Sequence, residues 1–273
     1  MIRSIAVMAC AVLALGCAQL GGSTEPPESE PSGLARILER GELRVGMSGE
    51  QPPLNMTTRT GELVGLEVAL ARVLASTFGV ELQIVRKPFA ELLAAVESKE
   101  IDLAMSGIGI TPARSLRVGF VGPYFVSGKS LLSASKEILE ADGPDALNQP
   151  GLRVAALAGS TSEDYVRRHL PKVKLLATAG LDAAVQTVLR GEADALLADL
   201  ETCHFGALRH PDSGLAAREV AFTTEPIGIA VDHDDPQLAN LLETYLEALD
   251  RQGALAKARD YWFENDEWLQ SLR

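Results

Sequence analysis

From residue 34 onward, short β-like apolar runs alternate with segments whose apolar positions recur every three or four residues. That alternation predicts an α/β fold with mainly parallel sheets. Residues 43–47 predict a strand, Leu66, Ala69, Leu70, Val73 and Leu74 recur at helical spacing, and residues 81–85 predict a strand again. A helix over 90–98 follows with Leu92, Leu93 and Val96 inward, then strands over 101–105 and 117–121. The same grammar restarts after Leu152: strand 153–157, helix 162–170 stopped by Pro171, strand 173–177, helix 181–190 and strand 193–198. Two similar lobes are expected.

The apolar stretch 128–135 reads as a strand that leaves the first lobe for the second. A return near 218–225 is needed, because 227–231 reads as a strand and the helical patterns 236–251 and 254–263 need a sheet to cover. Lobe 1 is therefore expected over 34–128 plus 223–273 and lobe 2 over 129–222, with two crossings acting as a hinge.

The first residues change the picture from a folded to an exported chain. Arg3 gives a short positive region, residues 5–15 an apolar run too short to span a bilayer, and Leu15-Gly16-Cys17 a small-residue cleavage site. Residues 1–16 read as a signal peptide and Cys17 as a lipid attachment point. The junction resembles a bacterial lipobox, although Ala14 stands where a branched residue is usual; a soluble export signal is the alternative. Residues 17–33, rich in Gly, Ser, Glu and Pro, bury too little to offset ordering entropy and read as a flexible tether. Beyond the lipidated Cys17 only Cys203 remains in the mature chain, so no intramolecular disulfide is expected. The balance of 37 acidic to 25 basic residues disfavours nucleic acid as a partner.

The chemistry lies in six segments. They are Gly41-Glu-Leu-Arg-Val-Gly46, Gly61-Glu-Leu-Val-Gly-Leu-Glu-Val-Ala-Leu70, Asp102-Leu-Ala-Met-Ser-Gly-Ile-Gly-Ile-Thr-Pro-Ala-Arg114, Phe120-Val-Gly-Pro-Tyr124, Ala158-Gly-Ser-Thr161 and Gly191-Glu-Ala-Asp-Ala-Leu-Leu-Ala-Asp199. In this order the chain resembles the polar amino-acid-binding proteins of ABC importers, the family 3 extracellular solute-binding proteins, over about residues 34–268. The resemblance implies a periplasmic-binding-protein-like fold of type II, two lobes joined by a two-strand hinge. It also implies a small zwitterionic ligand such as an amino acid, a membrane permease as partner, no cofactor, and a periplasmic or cell-surface location. A monomer is expected.

Arg114 follows a strand and a Gly-rich turn, at the sheet edge where open α/β sheets bind ligands, and its planar fork suits a carboxylate. The matching arginine of the family holds the ligand α-carboxylate. Gly107 and Gly109 let the main chain approach a solute; with Pro112 in the third position they are no dinucleotide fingerprint. Ser160 and Thr161 precede a helix, where hydroxyls and free N–H groups make an anion site or an ordinary cap. Asp199 ends a strand and either accepts from a ligand ammonium, as its family counterpart does, or caps the next helix. Phe89 matches an aromatic that stacks on the ligand. Gln51 stands where a second aromatic is common, and Ser48 where lysine and arginine binders carry an aspartate, which argues against a cationic ligand side chain.

His233-Asp-Asp235 and Cys203-His204 lack metal-ligand spacing, so no metal is expected. The periplasmic cyclohexadienyl dehydratases resemble the same family and share the flavour of Met105-Ser-Gly-Ile108 and Gln149-Pro-Gly151. Their general-acid glutamate lies three residues beyond the aspartate, where this chain has Thr202; Glu201 sits about 100° away on a helix. No catalytic residue is therefore expected, with a dehydratase-like enzyme and a ligand-sensing domain as the alternatives.

Overall fold

Caps decide where the helices begin. Ser32 accepts from Ala35 N and opens α1 (Gly33–Arg40), which closes on Gly41 in the left-handed region. The expected tether reached residue 33 and foresaw no helix there, so its last two residues belong instead to this capped start. The computed structural model describes residues 31–264 and 268. The expected signal peptide, Cys17 and the tether up to residue 30 lie outside the described residues.

The first half continues with β1 (Glu42–Met47), β2 (Glu50–Gln51), β3 (Asn55–Thr57), β4 (Leu63–Val64), α2 (Leu66–Phe78) and β5 (Glu81–Arg86). A 3-10 turn at Phe89–Glu91 leads into α3 (Leu92–Glu97), β6 (Leu103–Ala104), α4 (Pro112–Ser115) and β7 (Gly119–Ser127). The second half opens with β8 (Lys129–Ser133), α5 (Lys136–Leu139), α6 (Gly143–Leu147), β9 (Arg153–Leu157) and α7 (Thr161–His169). Then come β10 (Lys174–Thr178), α8 (Leu181–Leu189), β11 (Ala195–Asp199), α9 (Leu200–Arg209) and β12 (Ala216–Ala217). The chain returns through β13 (Glu225–Val231) to α10 (Pro236–Arg251) and α11 (Ala254–Phe263).

Two five-stranded sheets result, ordered β5-β1-β6-β13-β7 and β10-β9-β11-β8-β12. In each, three parallel strands continue on one side into an antiparallel pair, whose inner member, β13 or β8, runs against them and whose outer member, β7 or β12, runs with them; these pairs are the strands that enter or leave a lobe. A small antiparallel sheet, β2-β3-β4, which the apolar pattern did not reveal, sits in the first lobe. One core packs α2 and α10 on the first sheet, another packs α6 and α7 on the second, and a third runs from Phe89 and Ile108 to Leu157, Leu181 and Ala198. The lobes thus share apolar contact at their seam.

The helix α2 departs from its expected face. Val73, expected inward, is 48% exposed, whereas Glu67 is fully buried. Fully buried Leu66 and Leu74 define the inner stripe, and Val73 lies about 100° from Leu74 around the helix.

The two crossings touch. A Cβ on Gly128 would lie 2.1 Å from Thr223 O, so only glycine lets the strands pass this closely. Lys129 N donates to Thr223 Oγ1 at 2.9 Å and Phe222 N to Lys129 O at 2.7 Å.

Candidate functional site

Strand ends build the site. Gly107 follows β6, Ser160 follows β9 and Asp199 ends β11, and these three line one cavity with Gln51, Phe89, Thr161, Lys129 and Thr202. First-lobe and second-lobe residues face each other there. The free space is about 20 Å³, roughly one water. A solute enters only when the lobes part.

Each expected residue has a definite place. Gly107 turns with φ +65°, and its N–H donates to the buried Glu67 at 2.7 Å. Ser160 caps α7: its hydroxyl accepts from Glu163 N at 3.1 Å and donates to Leu157 O at 2.6 Å, so the capping role holds. The N–H groups of Thr161 and Ser162 lie in the first turn, ahead of any intrahelical acceptor. Thr161 Oγ1 donates to Glu225 Oε2 at 2.8 Å. Asp199 stands at the start of α9 but its side chain makes no capping bond. Instead it meets Lys129 Nζ at 2.5 Å.

Arg114 reaches the loop that carries Ser160. Thr111 caps the short α4 and accepts from Arg114 N at 3.3 Å, which fixes where the side chain starts. Its guanidinium donates to Gly109 O at 2.8 Å and, across the seam, to Gly159 O at 3.0 Å, 5.8 Å from the centre of the Phe89 ring. Burial pulls its pKa below the ordinary value, opposed by Asp164, Glu225 and Asp199. Phe89, 8% exposed, is both core and cavity wall.

A second cavity of about 470 Å³ shares Gln51, Phe89, Leu157 and Leu181 with the first and adds Ser48, Glu50, Arg86 and Lys87. Glu50 was missed. Its half-buried carboxyl accepts from Leu181 N of the second lobe, and burial, helped by Asp182, raises its pKa. The case against a cationic ligand side chain, made from Ser48 and Gln51, loses its premise, because a carboxylate stands in the same space.

The other missed residues are Lys129 and Glu225. Lys129 is 2% exposed and bonds both Asp199 and Glu225; burial opposes its charge, but the two carboxylates together hold its pKa above normal. Only its place inside an apolar strand could have flagged it.

Glu201 faces away from the cavity that Thr202 lines. It lines a separate space of about 540 Å³ with Pro53, Phe125, His204, Phe205 and α11. Ser127 Oγ donates to it at 2.5 Å from the other lobe. Burial pushes its pKa to about 7 with help from Asp199, against Ser127 and Lys129. His204, Arg259, Asp260 and Glu264 also face this space.

If lobe opening exposes this carboxyl, closure is expected to take up a proton. Relative to the unfolded chain, its contribution to stability is full below pH 4.5 and is lost as pH rises through about 7. For a closure-linked equilibrium the expected result is solute binding about tenfold tighter at pH 6 than at pH 8, a dependence flattened in Glu201→Gln. Titration calorimetry in buffers of different ionisation enthalpy measures the proton uptake.

Two of the remaining candidates, Asp194 and Cys203, are structural. Asp194 accepts from Arg153 N at 2.8 Å and pairs with its guanidinium at 2.6 Å. Cys203 is fully buried, and burial raises its thiol pKa. Asp232, His233 and Asp234 cluster on a largely exposed turn.

Comparison with known proteins follows the same geometry. The sequence profile of the bacterial extracellular solute-binding proteins, family 3, matches residues 43–265. A cyclohexadienyl dehydratase of Pseudomonas aeruginosa is 26% identical over 253 residues, 93% of this chain and 94% of that enzyme. An L-cystine-binding protein of Escherichia coli is 27% identical over 236 residues, covering 85% and 86% of the two chains. Among solved structures, a binding component of an ABC transporter from Wolinella succinogenes, complexed with lysine, superposes with TM-score 0.78. It is 32% identical, over 85% of this chain and 99% of that one.

Proposed function

The chain belongs to the bacterial extracellular solute-binding proteins, family 3, and on that footing we propose that it closes its lobes around one amino acid or similar small zwitterion and delivers it to an ABC importer permease. The observation that carries this reading is the seam cavity, where Asp199 of the second lobe and Gly107 of the first share one wall while Arg114 reaches across. Arg114 takes the ligand carboxylate, with the first-turn N–H groups of α7 as second donors, and Asp199 takes the ammonium. The two groups sit on different lobes, so only the closed cleft offers both to one ligand. That difference supplies the differential affinity closure requires.

The moving bodies in this reading are 34–128 with 223–273, and 129–222, rotating about Gly128 and the return crossing. Phe89, Gln51 and Ser48 face the ligand side chain, and the charges of both signs on Glu50, Arg86 and Lys87 suit a polar one. The chain binds rather than transforms its ligand, because Thr202 occupies the place where the dehydratase resemblance needs an acid, and Glu201 faces a different cavity. Among the described residues no helix is long and apolar enough to cross a membrane. Export with a lipid on Cys17 and action as a monomer belong to the same proposal; the mass of the mature N-terminal peptide tests the lipid.

The function is tested by thermal-shift screening against the protein amino acids and L-cystine. At a concentration about a hundredfold above Kd, a true ligand adds ~2.7 kcal/mol, roughly 5–10 °C in Tm. A flat response to every amino acid, or turnover of prephenate to phenylpyruvate, overturns the reading.

A further inference from the structure

The carboxylate assigned to the ligand ammonium already has a cation. Lys129 Nζ lies 2.5 Å from Asp199 Oδ1 and 2.9 Å from Glu225 Oε2, with side-chain exposures of 2%, 15% and 16%. Lys129 also lines the seam cavity beside Asp199, Thr161 and Thr202. The wall thus pairs a cation with an anion before any solute arrives, and Glu225 holds the same cation from behind.

We infer that Lys129 is a built-in counter-ion that relaxes the demand for an α-ammonium, so that the cleft accepts 2-hydroxy and 2-oxo acids as well as the amino acids with the same side chains. This rests on the proposed reading of Asp199. In a cleft whose aspartate has only the ligand ammonium for company, an analogue lacking it leaves a buried carboxylate unpaired, and rejection on the order of 10⁴ follows. Here Asp199 and Glu225 keep Lys129 whichever ligand is present. A 2-hydroxyl donates to Asp199, and a 2-oxo oxygen accepts from Lys129. An ammonium in the same place gains Asp199 but stands beside a like charge, which trims its advantage.

Lys129 has a structural use too, since it joins a strand of the second lobe to Glu225 on the return crossing. A purely structural role would change stability and leave the preference among ligands alone. The preference is therefore the readout.

The experiment is titration calorimetry on the whole protein. The probes are the amino acid with the largest thermal shift and the (S)-2-hydroxy and 2-oxo acids of the same side chain. The wild type is expected to bind the amino acid and its 2-hydroxy analogue within about tenfold of each other, and Lys129→Met to widen that gap at least about a hundredfold, the analogue losing far more affinity than the amino acid. A wild-type gap above about a hundredfold, or one that Lys129→Met leaves unchanged, overturns the inference while amino-acid binding stands. Absence of amino-acid binding in the wild type removes the functional reading itself. If Lys129→Met does not fold, the wild-type gap decides alone.

Discussion

Arg114→Ala is expected to weaken amino-acid binding by a factor of about 10² to 10³ and to abolish the ligand-induced thermal shift. Truncation leaves the ligand carboxylate in a closed, largely dehydrated seam with its principal cation gone, a loss of ~3–4 kcal/mol. The unliganded protein should melt within about 1 kcal/mol of wild type, because the guanidinium bonds two carbonyls, Gly109 O and Gly159 O, that reach water once the side chain is removed. Only two of its five N–H groups are engaged there, so a carboxylate can be gripped without breaking both contacts. Arg114→Lys separates charge from shape: a point charge without the planar fork should recover part of the loss and stop roughly tenfold short of wild type. Calorimetry on the three proteins measures both effects. Unchanged affinity in Arg114→Ala would mean that the carboxylate is held elsewhere.

The positions of Ser160 and Asp199 could be read from the sequence because each comes at or just after the end of a strand, and that of Arg114 because Thr111-Pro112 opens a short capped helix. The two C-terminal helices were legible for a related reason, as long amphipathic segments behind a capping Asp235 and Pro236. Lys129, Glu225 and Glu201 carried no such signal. Lys129 lies inside a strand that reads as apolar, and it acquires meaning only from partners 70 and 96 positions away, Asp199 and Glu225. Glu201 is two residues beyond Asp199, yet the helix turn between them sends it to a different cavity, while Thr202 faces the site. Helical period gave the angle between Glu201 and Thr202; the packing of α9 on β8, β11 and β12 sets which of the two lines the seam cavity. The same limit explains α2, where apolar spacing pointed Val73 inward and gave no reason to bury Glu67.

Glu67→Ala is expected to be the most destabilising single change in the first lobe, about 4 kcal/mol, or a fall in Tm on the order of 10 °C. The side chain is fully buried and accepts from Gly107 N at 2.7 Å, from the Tyr124 hydroxyl and from the Asn55 amide. Burial raises its pKa; those three hydrogen bonds oppose the shift. Alanine would orphan all three donors and leave a cavity between α2 and β6. Glu67→Gln is the sharper test, because it keeps the shape and one acceptor. Its oxygen can still serve Gly107 and Tyr124, which share Oε1 in the native chain. Its amide nitrogen then meets the Asn55 amide, donor against donor, and Asn55 cannot flip without abandoning Gly49 N, which its oxygen accepts at 2.7 Å. The disturbance therefore travels from a buried helix to the loop carrying Ser48 and to the turn at Gly107, both on the solute side of the lobe. Glu67→Gln should cost about 1–3 kcal/mol in stability and lower solute affinity as well, measured by chemical denaturation and calorimetry on the same protein. A variant that loses stability but keeps full affinity would show that the network holds the lobe together without positioning the cleft.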